Sequence, residues 1–364
     1  MAYSLGVFDR IPWALVIYPG ILSMRGAIGG LYSGRLSTAL HLGTIKPRIL
    51  GNTEESYVLF NTVNTLTLVS ALFMGSLGSL VGVIVTGTPP QEFFLILSVI
   101  IASMGLSIVA ISPLTFWVSV VSFKRGLDPD VLVYPIMSTV ADLIITGLYV
   151  GVLYIVAYTP GSLLILTGIN IVFISAVLFT VSKIYQNREF IRTVREFMLT
   201  LIIVTIIVNI TGTALNSIVK KIGERPEILM IYPALIDTVG DVGSIIGSTA
   251  TTKMALGMMK TEAKAIISHL LEITSAWTAS FIMFILFAVT SSLVYGVGRF
   301  PAFLLEVCAT NLMVVPIIVV ISFATALVAR GRGLDPDNFI IPIETSISDG
   351  LTTIGLLVAI TLFL

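Results

Sequence analysis

The amino-acid sequence predicts an all-α polytopic membrane protein with about ten transmembrane helices in two repeats. Hydrophobic residues make up 56% of the chain and charged residues only 11%, whereas about a quarter of the residues in a soluble domain are charged. Several stretches are longer than the roughly 18 apolar residues that indicate a transmembrane helix. Two sequence patterns also occur once in each half of the chain.

The apolar stretches predict ten helices. Several exceed the roughly 20 residues that cross a bilayer, so we expect them to tilt, kink or extend into the headgroup region. Proline and glycines predict a break in the first helix near Pro19, and glycines predict one in the seventh near Gly243. The predicted helices cover 12–42, 56–86, 92–123, 129–157, 162–184, 193–219, 228–258, 265–292, 301–329 and 337–364.

The first repeated pattern opens with a Tyr-Pro pair, Tyr18-Pro19 in the first predicted helix and Tyr232-Pro233 in the seventh. Glycines and one lysine follow each pair, and the offset between the halves is constant. These residues are Gly26, Gly29, Gly43 and Lys46 in the first half, and Gly240, Gly243, Gly257 and Lys260 in the second. The shared order predicts that the first and seventh helices are equivalent.

The second repeated pattern begins with Asp-Pro-Asp, at 128–130 and again at 335–337. Aspartate followed by proline is typical of a helix N-terminus, and the alternative is an acidic rim that concentrates or releases cations. A proline, two hydroxyl residues and a further aspartate then follow at the same spacing. They are Pro135, Ser138, Thr139 and Asp142 in the first half, and Pro342, Thr345, Ser346 and Asp349 in the second.

Asp142 and Asp349 are the first candidates for a metal site. Each lies about 20 Å along its predicted helix, where a carboxylate costs several kcal/mol unless it is paired, hydrated or next to a cavity. Neighbouring hydroxyls add oxygen atoms of the kind that a hard cation or its hydration shell prefers. We therefore predict a paired cation site, and the alternative is a protonated or salt-bridged structural aspartate. The hydroxyl candidates are Ser138, Thr139, Thr345 and Ser346.

The two halves differ in their other charged residues. The seventh predicted helix adds Asp237 and Asp241, which lie four residues apart and therefore on one face, and Glu344 is a further candidate near the predicted site. Arg25 stands in the first helix where the seventh has Val239. We expect Arg25 to pair with an acid of the other half or to reach the headgroups, and it is a candidate built-in counter-charge for the site.

Basic residues predict the orientation in the membrane. They are concentrated in the loops that follow the first, third, fifth, seventh and ninth predicted helices. This bias places those loops in the cytoplasm and both termini outside the plasma membrane. Two helices separate the matched four-helix sets, so we predict parallel repeats related by a pseudo-two-fold axis along the membrane normal, with the ion pathway between them.

Composition and motifs exclude several classes of protein. The formal net charge of +0 gives no electrostatic basis for binding nucleic acid, and the single cysteine excludes an intrachain disulfide or a multi-cysteine metal site. The sequence has no nucleotide-binding loop or catalytic motif, so we predict neither an enzyme nor a bound cofactor. Alternatives from other classes are a membrane-embedded, metal-dependent enzyme acting on a lipid-linked substrate, and a non-transporting scaffold.

The second pattern resembles the last transmembrane helix of the MgtE magnesium channels and of solute carrier family 41. The runs Arg35-Leu36-Ser37-Thr38-Ala39 and Gly240-Asp241-x-Gly243-Ser244 are similar to the Gly-rich helix of that family. The resemblance divides the chain into a first transmembrane repeat at 1–158, a connector at 159–190 and a second repeat at 191–364.

The resemblance implies a divalent-cation pathway with Mg²⁺ as the preferred ion, carried as cargo rather than held as a cofactor. It also implies that the last-helix aspartate of each repeat holds a hydrated ion. A Na⁺-coupled or H⁺-coupled divalent-cation exchanger is the alternative mechanism. The lipid bilayer is the other expected partner, and two repeats in one chain make a monomer sufficient in principle, with a homodimer possible.

Overall fold

The computed structural model describes residues 7, 10–86, 89–202, 204, 225–296, 298–334 and 339–363. All regular secondary structure in these ranges is helical, which confirms the predicted fold class at this level. Short 3₁₀ turns lie at Pro90–Glu92 and Ala263–His269. The α-helices in the described ranges are α1 (Pro12–Leu42), α2 (Glu54–Thr86), α3 (Phe93–Lys124), α4 (Pro129–Tyr158), α5 (Ser162–Ile184), α6 (described over 188–202), α7 (Pro226–Ala255), α8 (Leu270–Tyr295), α9 (Phe300–Gly331) and α10 (Ile340–Phe363).

Seven segments of the described chain are long and apolar enough to cross a membrane, compared with ten predicted helices. Helices α1 and α7 are not among the seven. Both carry charged side chains together with many small and hydroxyl residues, which lowers their hydropathy. The seven candidate spans are Glu54–Leu80, Phe93–Lys124, Pro129–Tyr158, Ser162–Ile184, Ala263–Tyr295, Phe300–Gly331 and Pro342–Phe363.

The chain forms two compact units, Met1–Thr205 and Ile206–Leu364. In the first unit α1 packs against α2, α3 and α4, and α5 packs on the outside of α2 and α3. In the second unit α7 packs against α8, α9 and α10. Each unit thus surrounds a less apolar, charge-bearing helix with apolar helices, as expected when polar groups face a bundle interior rather than lipid.

The expected breaks in α1 and α7 are wrong, because both helices run without interruption through their proline and glycines. The glycines of α7 serve close packing instead. A Cβ atom at Gly243 would overlap the side chain of Glu344, one at Gly247 would overlap Ile340, and one at Gly240 would lie 3.3 Å from the Ser348 hydroxyl. The missing side chains therefore let α10 approach the backbone of α7.

The start of α4 confirms the capping role of the first Asp-Pro-Asp. The side chain of Asp128 accepts a hydrogen bond of 2.9 Å from the backbone N–H of Asp130, and Pro129 occupies the first helical position. This arrangement satisfies one of the backbone donors that a helix N-terminus leaves without a partner. The second copy, at 335–337, lies outside the described residues. The acidic-rim alternative stays a prediction.

Candidate cation site

Arg25 and Asp142 form a buried ion pair inside the first unit. One guanidinium nitrogen of Arg25, Nη2, donates to Oδ1 of Asp142 and also lies 3.3 Å from the backbone carbonyl of Ser138. Arg25 is 9% exposed, and 34% of the Asp142 side chain is exposed. The expectation that Arg25 pairs with the other half or reaches the headgroups is therefore wrong, and Asp142 is a salt-bridged aspartate.

A chain of hydrogen bonds fixes the backbone around Asp142. The hydroxyl of Thr146 donates to the Asp142 carbonyl oxygen at 2.5 Å and lies 2.6 Å from the hydroxyl of Tyr18. A threonine hydroxyl carries one hydrogen, so Tyr18 donates to Thr146 when Thr146 donates to the carbonyl. The tyrosine of α1 is thereby tied to the aspartate turn of α4.

The second unit contains the same chain at the matched positions. The hydroxyl of Thr353 donates to the Asp349 carbonyl oxygen at 2.5 Å and lies 2.6 Å from the hydroxyl of Tyr232. The sequence reasoning missed both chains. A signal was available, because a threonine follows each aspartate by four residues and each tyrosine opens its repeated segment.

Among the described residues of the second unit, Glu344 is the most deeply buried acid. Its relative exposure is 0%, and neither carboxylate oxygen has a hydrogen-bond partner among the described residues. Its side chain lies against the backbone of Gly243. Among the described residues, the charged groups that act on it electrostatically are the carboxylates of Asp241 and Asp349. Three of the acids that the sequence singled out therefore interact electrostatically in the second unit.

At two matched positions, one unit carries a charged residue and the other an apolar one. Val239, at the position of Arg25, is buried in the apolar cluster of the second unit. Met137, at the position of Glu344, is buried in an apolar cluster of the first unit. The first unit thus combines a cation with Asp142, whereas the second combines Glu344 with other acids.

The hydroxyl candidates all donate to the carbonyl of the preceding proline in their own helix. Ser138 and Thr139 bond to the carbonyl of Pro135, and the corresponding pair in α10 bonds to the carbonyl of Pro342. Each hydroxyl oxygen retains the capacity to accept a hydrogen bond from a hydrated ion. The distances to the proline carbonyls are 3.0 Å for Ser138, 3.3 Å for Thr139, 3.2 Å for Thr345 and 3.0 Å for Ser346.

The described residues contain no group of three or more His, Cys, Asp or Glu side chains arranged to hold a bare metal ion. Asp237 and Asp241 are both half-buried on α7. An ion that keeps its water shell needs carboxylates farther apart than direct ligands would be. Mg²⁺ usually retains several of its waters in proteins.

A small cavity lies beside Arg25 in the first unit. Its volume is about 20 Å³, enough for one water molecule, and residues of α1, α2 and α3 line it. Three lining groups are buried without a hydrogen-bond partner among the described residues: Nε of Arg25, the hydroxyl of Tyr32 and the hydroxyl of Ser112. Arg25 therefore lies between Asp142 and a small cavity.

Two further charged groups anchor the ends of α7, and the sequence reasoning missed both. At the start of the helix, Arg225 lies 2.8 Å from Glu227 and 2.9 Å from Glu306. Near its end, Lys253 forms an ion pair with Glu272, and His269 lies 3.0 Å from the hydroxyl of Thr249. These contacts are within the second unit and hold α7 against α8 and α9.

Comparison with known proteins gives the family. A family model described as MgtE, divalent cation transporter, matches residues 18–152 and again residues 232–359. The chain belongs to the MgtE divalent cation transporter family. The predicted resemblance is thereby confirmed, and each matched segment of this MgtE family member contains one complete Tyr–Thr–Asp chain.

Curated relatives agree with the family. The chain is similar to solute carrier family 41 member 2 of Homo sapiens and of Mus musculus, with 26% identity over 143 residues in each case. The similar region is 38% of this chain and 24% of each relative, so the chain matches about a quarter of the length of these relatives. No solved structure matches the chain. The family is one of transporters, and several long apolar helices make this MgtE family member a multi-pass membrane protein.

Proposed function

We propose that this protein transports divalent cations, with Mg²⁺ preferred, across the plasma membrane. The observation that carries the proposal is the carboxylate of Glu344, which is fully buried, has no hydrogen-bond partner among the described residues and faces two further acids. A buried carboxylate without a partner, such as that of Glu344, is costly. A cation that visits it offsets this cost, and a transporter needs such a visiting ion.

The cation binds the second unit through its water shell in this proposal. Glu344, Asp349 and Asp241 hold the hydrated ion, and Asp237, one turn earlier on α7, lies along its approach. Thr345 and Ser346 accept hydrogen bonds from its waters. Asp142, Ser138 and Thr139 line the matching stretch of the first unit, and the pathway that the sequence predicts between the repeats is part of the proposal.

The choice of ion follows from the donor atoms. The acids and hydroxyls offer oxygen only, and oxygen ligands suit Mg²⁺, Ca²⁺ and Mn²⁺ rather than the softer transition metals. Mg²⁺ gives up water reluctantly, so carboxylates that act through water favour it over Ca²⁺, which takes more direct oxygen ligands. The predicted orientation, with both termini outside the cell, rests on the distribution of basic residues in the loops.

Ion uptake into proteoliposomes tests the function. Wild-type protein is compared with Asp349→Asn and Glu344→Gln, using inward gradients of Mg²⁺, Mn²⁺ and Ca²⁺. Glu262→Gln is the matched control, because Glu262 is an exposed acid of the same unit. We expect the control to transport like wild type and both site variants to lose most of the divalent flux.

The same assay separates the alternative mechanisms. Flux that depends on an opposing Na⁺ or H⁺ gradient supports an exchanger, whereas flux driven by the cation gradient alone supports a channel. Absence of divalent flux under every gradient, from protein that is correctly folded and reconstituted, contradicts the proposed function.

A further inference from the structure

We infer that the two units have different tasks: Arg25 is a tethered cation that occupies the site of the first unit permanently, and one mobile divalent cation binds in the second unit. The inference rests on the proposed function and specifies it further. It predicts one bound divalent cation per chain, although the sequence pattern occurs twice.

The hydrogen-bond chains provide the common frame for comparing the units. Each chain runs from a tyrosine through a threonine to an aspartate carbonyl, with the same distances of 2.6 Å and 2.5 Å in both units. The aspartate turn is therefore held in the same way in α4 and in α10. Differences around the two aspartates come from the neighbouring side chains and not from the scaffold.

Arg25 neutralises the carboxylate in the first unit. It forms the ion pair with Asp142. Its Nη2 contacts both the Asp142 carboxylate and the Ser138 carbonyl, so these two groups of α4 hold the guanidinium. A charge that is covalently attached and held in this way is always present and is not exchanged with solution.

The second unit has the opposite composition. Val239 replaces the arginine and lies in the apolar cluster, while Glu344 replaces Met137 and adds a buried carboxylate. Glu344 is acted on by Asp241 and Asp349. The buried Glu344 carboxylate, which has no hydrogen-bond partner among the described residues, attracts a divalent cation more strongly than a monovalent one, because the Coulomb energy scales with the charge of the ion.

Counting bound Mn²⁺ tests this division of tasks. Mn²⁺ is a paramagnetic oxygen-seeking ion, and its free concentration is measured by electron paramagnetic resonance during titration of purified protein in nanodiscs. We expect one Mn²⁺ per wild-type chain, displaced by excess Mg²⁺. Glu344→Gln is expected to lose binding at the Mn²⁺ concentration that saturates wild type.

The deciding variant copies the second unit into the first. Arg25→Val combined with Met137→Glu gives the first unit the residues that stand at Val239 and Glu344. We expect this double variant to bind two Mn²⁺ per chain. Its unchanged second unit serves as an internal control, because retention of at least one site shows that the variant is folded.

Each outcome has a distinct meaning. Two Mn²⁺ bound to the wild-type chain overturn the inference and leave the proposed function intact. One Mn²⁺ on both wild type and the double variant also overturns the role of Arg25 as a stand-in for the mobile ion. No binding and no divalent flux in wild type overturn the proposed function itself. If the double variant does not fold, the number of Mn²⁺ ions bound per wild-type chain and the titration of Glu344→Gln test the inference.

Discussion

The hydroxyl of Tyr232 lies 2.6 Å from the hydroxyl of Thr353, and Thr353 in turn donates to the carbonyl oxygen of Asp349. This relay joins the first turns of α7 to the aspartate turn of α10. It positions the Asp349 backbone without using the carboxylate, which leaves the carboxylate oxygens for other contacts.

Thr353→Val is expected to weaken this relay. The substitution keeps the shape of the side chain but removes the hydroxyl, so the Tyr232 hydroxyl loses its partner and the unfolding free energy falls by about 1 kcal/mol. Thermal unfolding in detergent measures the effect, and ion uptake measures its consequence for transport. Thr361→Val is the control, because Thr361 is an exposed residue of the same helix that bonds only within α10. Equal effects at both positions would contradict a special role for the relay.

Gly243→Ala is expected to disturb the site more than its matched counterpart Gly29→Ala. A Cβ at Gly243 overlaps the Glu344 side chain, whereas a Cβ at Gly29 meets Nη1 of Arg25 at an ordinary 3.5 Å. Overpacking costs about 1–3 kcal/mol, and alanine at Gly29 gains helix propensity. Thermal unfolding and Mn²⁺ titration of the two variants check the difference. Similar Mn²⁺ affinity in both variants would show that ion binding by Glu344 does not depend on its close contact with Gly243.

Asp142→Asn is expected to destabilise the first unit because it leaves Arg25 buried without its carboxylate. Breaking a fully buried pair costs about 3–5 kcal/mol, and the 34% exposure of the Asp142 side chain reduces the expected loss to about 1–3 kcal/mol. Arg25→Met combined with Asp142→Asn should recover most of it. A double-mutant cycle of unfolding free energies measures the coupling. Additive effects, with no coupling between the two positions, would be inconsistent with the observed ion pair.

Removal of divalent cations is expected to lower the melting temperature. A ligand that binds only the folded state adds about 2.7 kcal/mol at one hundred times its Kd, so Mg²⁺ should raise the midpoint and chelation should reverse the change. Na⁺ at the same ionic strength controls for screening. The shift should vanish in Glu344→Gln, and an equal shift in that variant would place the stabilising ion elsewhere.

Much of the fold follows from hydropathy and capping signals. The first predicted helix has the same boundaries as α1, and the first Asp-Pro-Asp predicts the N-terminal cap that Asp128 forms. The predicted breaks failed because glycine in a helix serves either flexibility or close packing. The sequence alone does not distinguish flexibility from close packing. The structure does, because it shows which side chain packs against Gly243.

The sequence predicts candidate site residues, but it does not predict how they pair. Spacing located Asp142, Asp349 and Glu344, because ionisable residues inside apolar helices are rare. Spacing did not reveal the partner of Arg25, since that contact joins residues more than one hundred positions apart and depends on how α1 and α4 pack. The tyrosine relays were missed for the same reason, although both of their threonines follow an aspartate at one helical turn.

The glycines of α7 have a mechanical consequence. Gly240, Gly243 and Gly247 face Ser348, Glu344 and Ile340 in reverse order, so α10 crosses α7 along a groove that lacks side chains to interlock. Glu344 is the charged residue among the three that fill the groove. Sliding or rotation of α10 in this groove changes the burial of that charge. The position of α10 and the exposure of the Glu344 carboxylate are therefore coupled in the second unit.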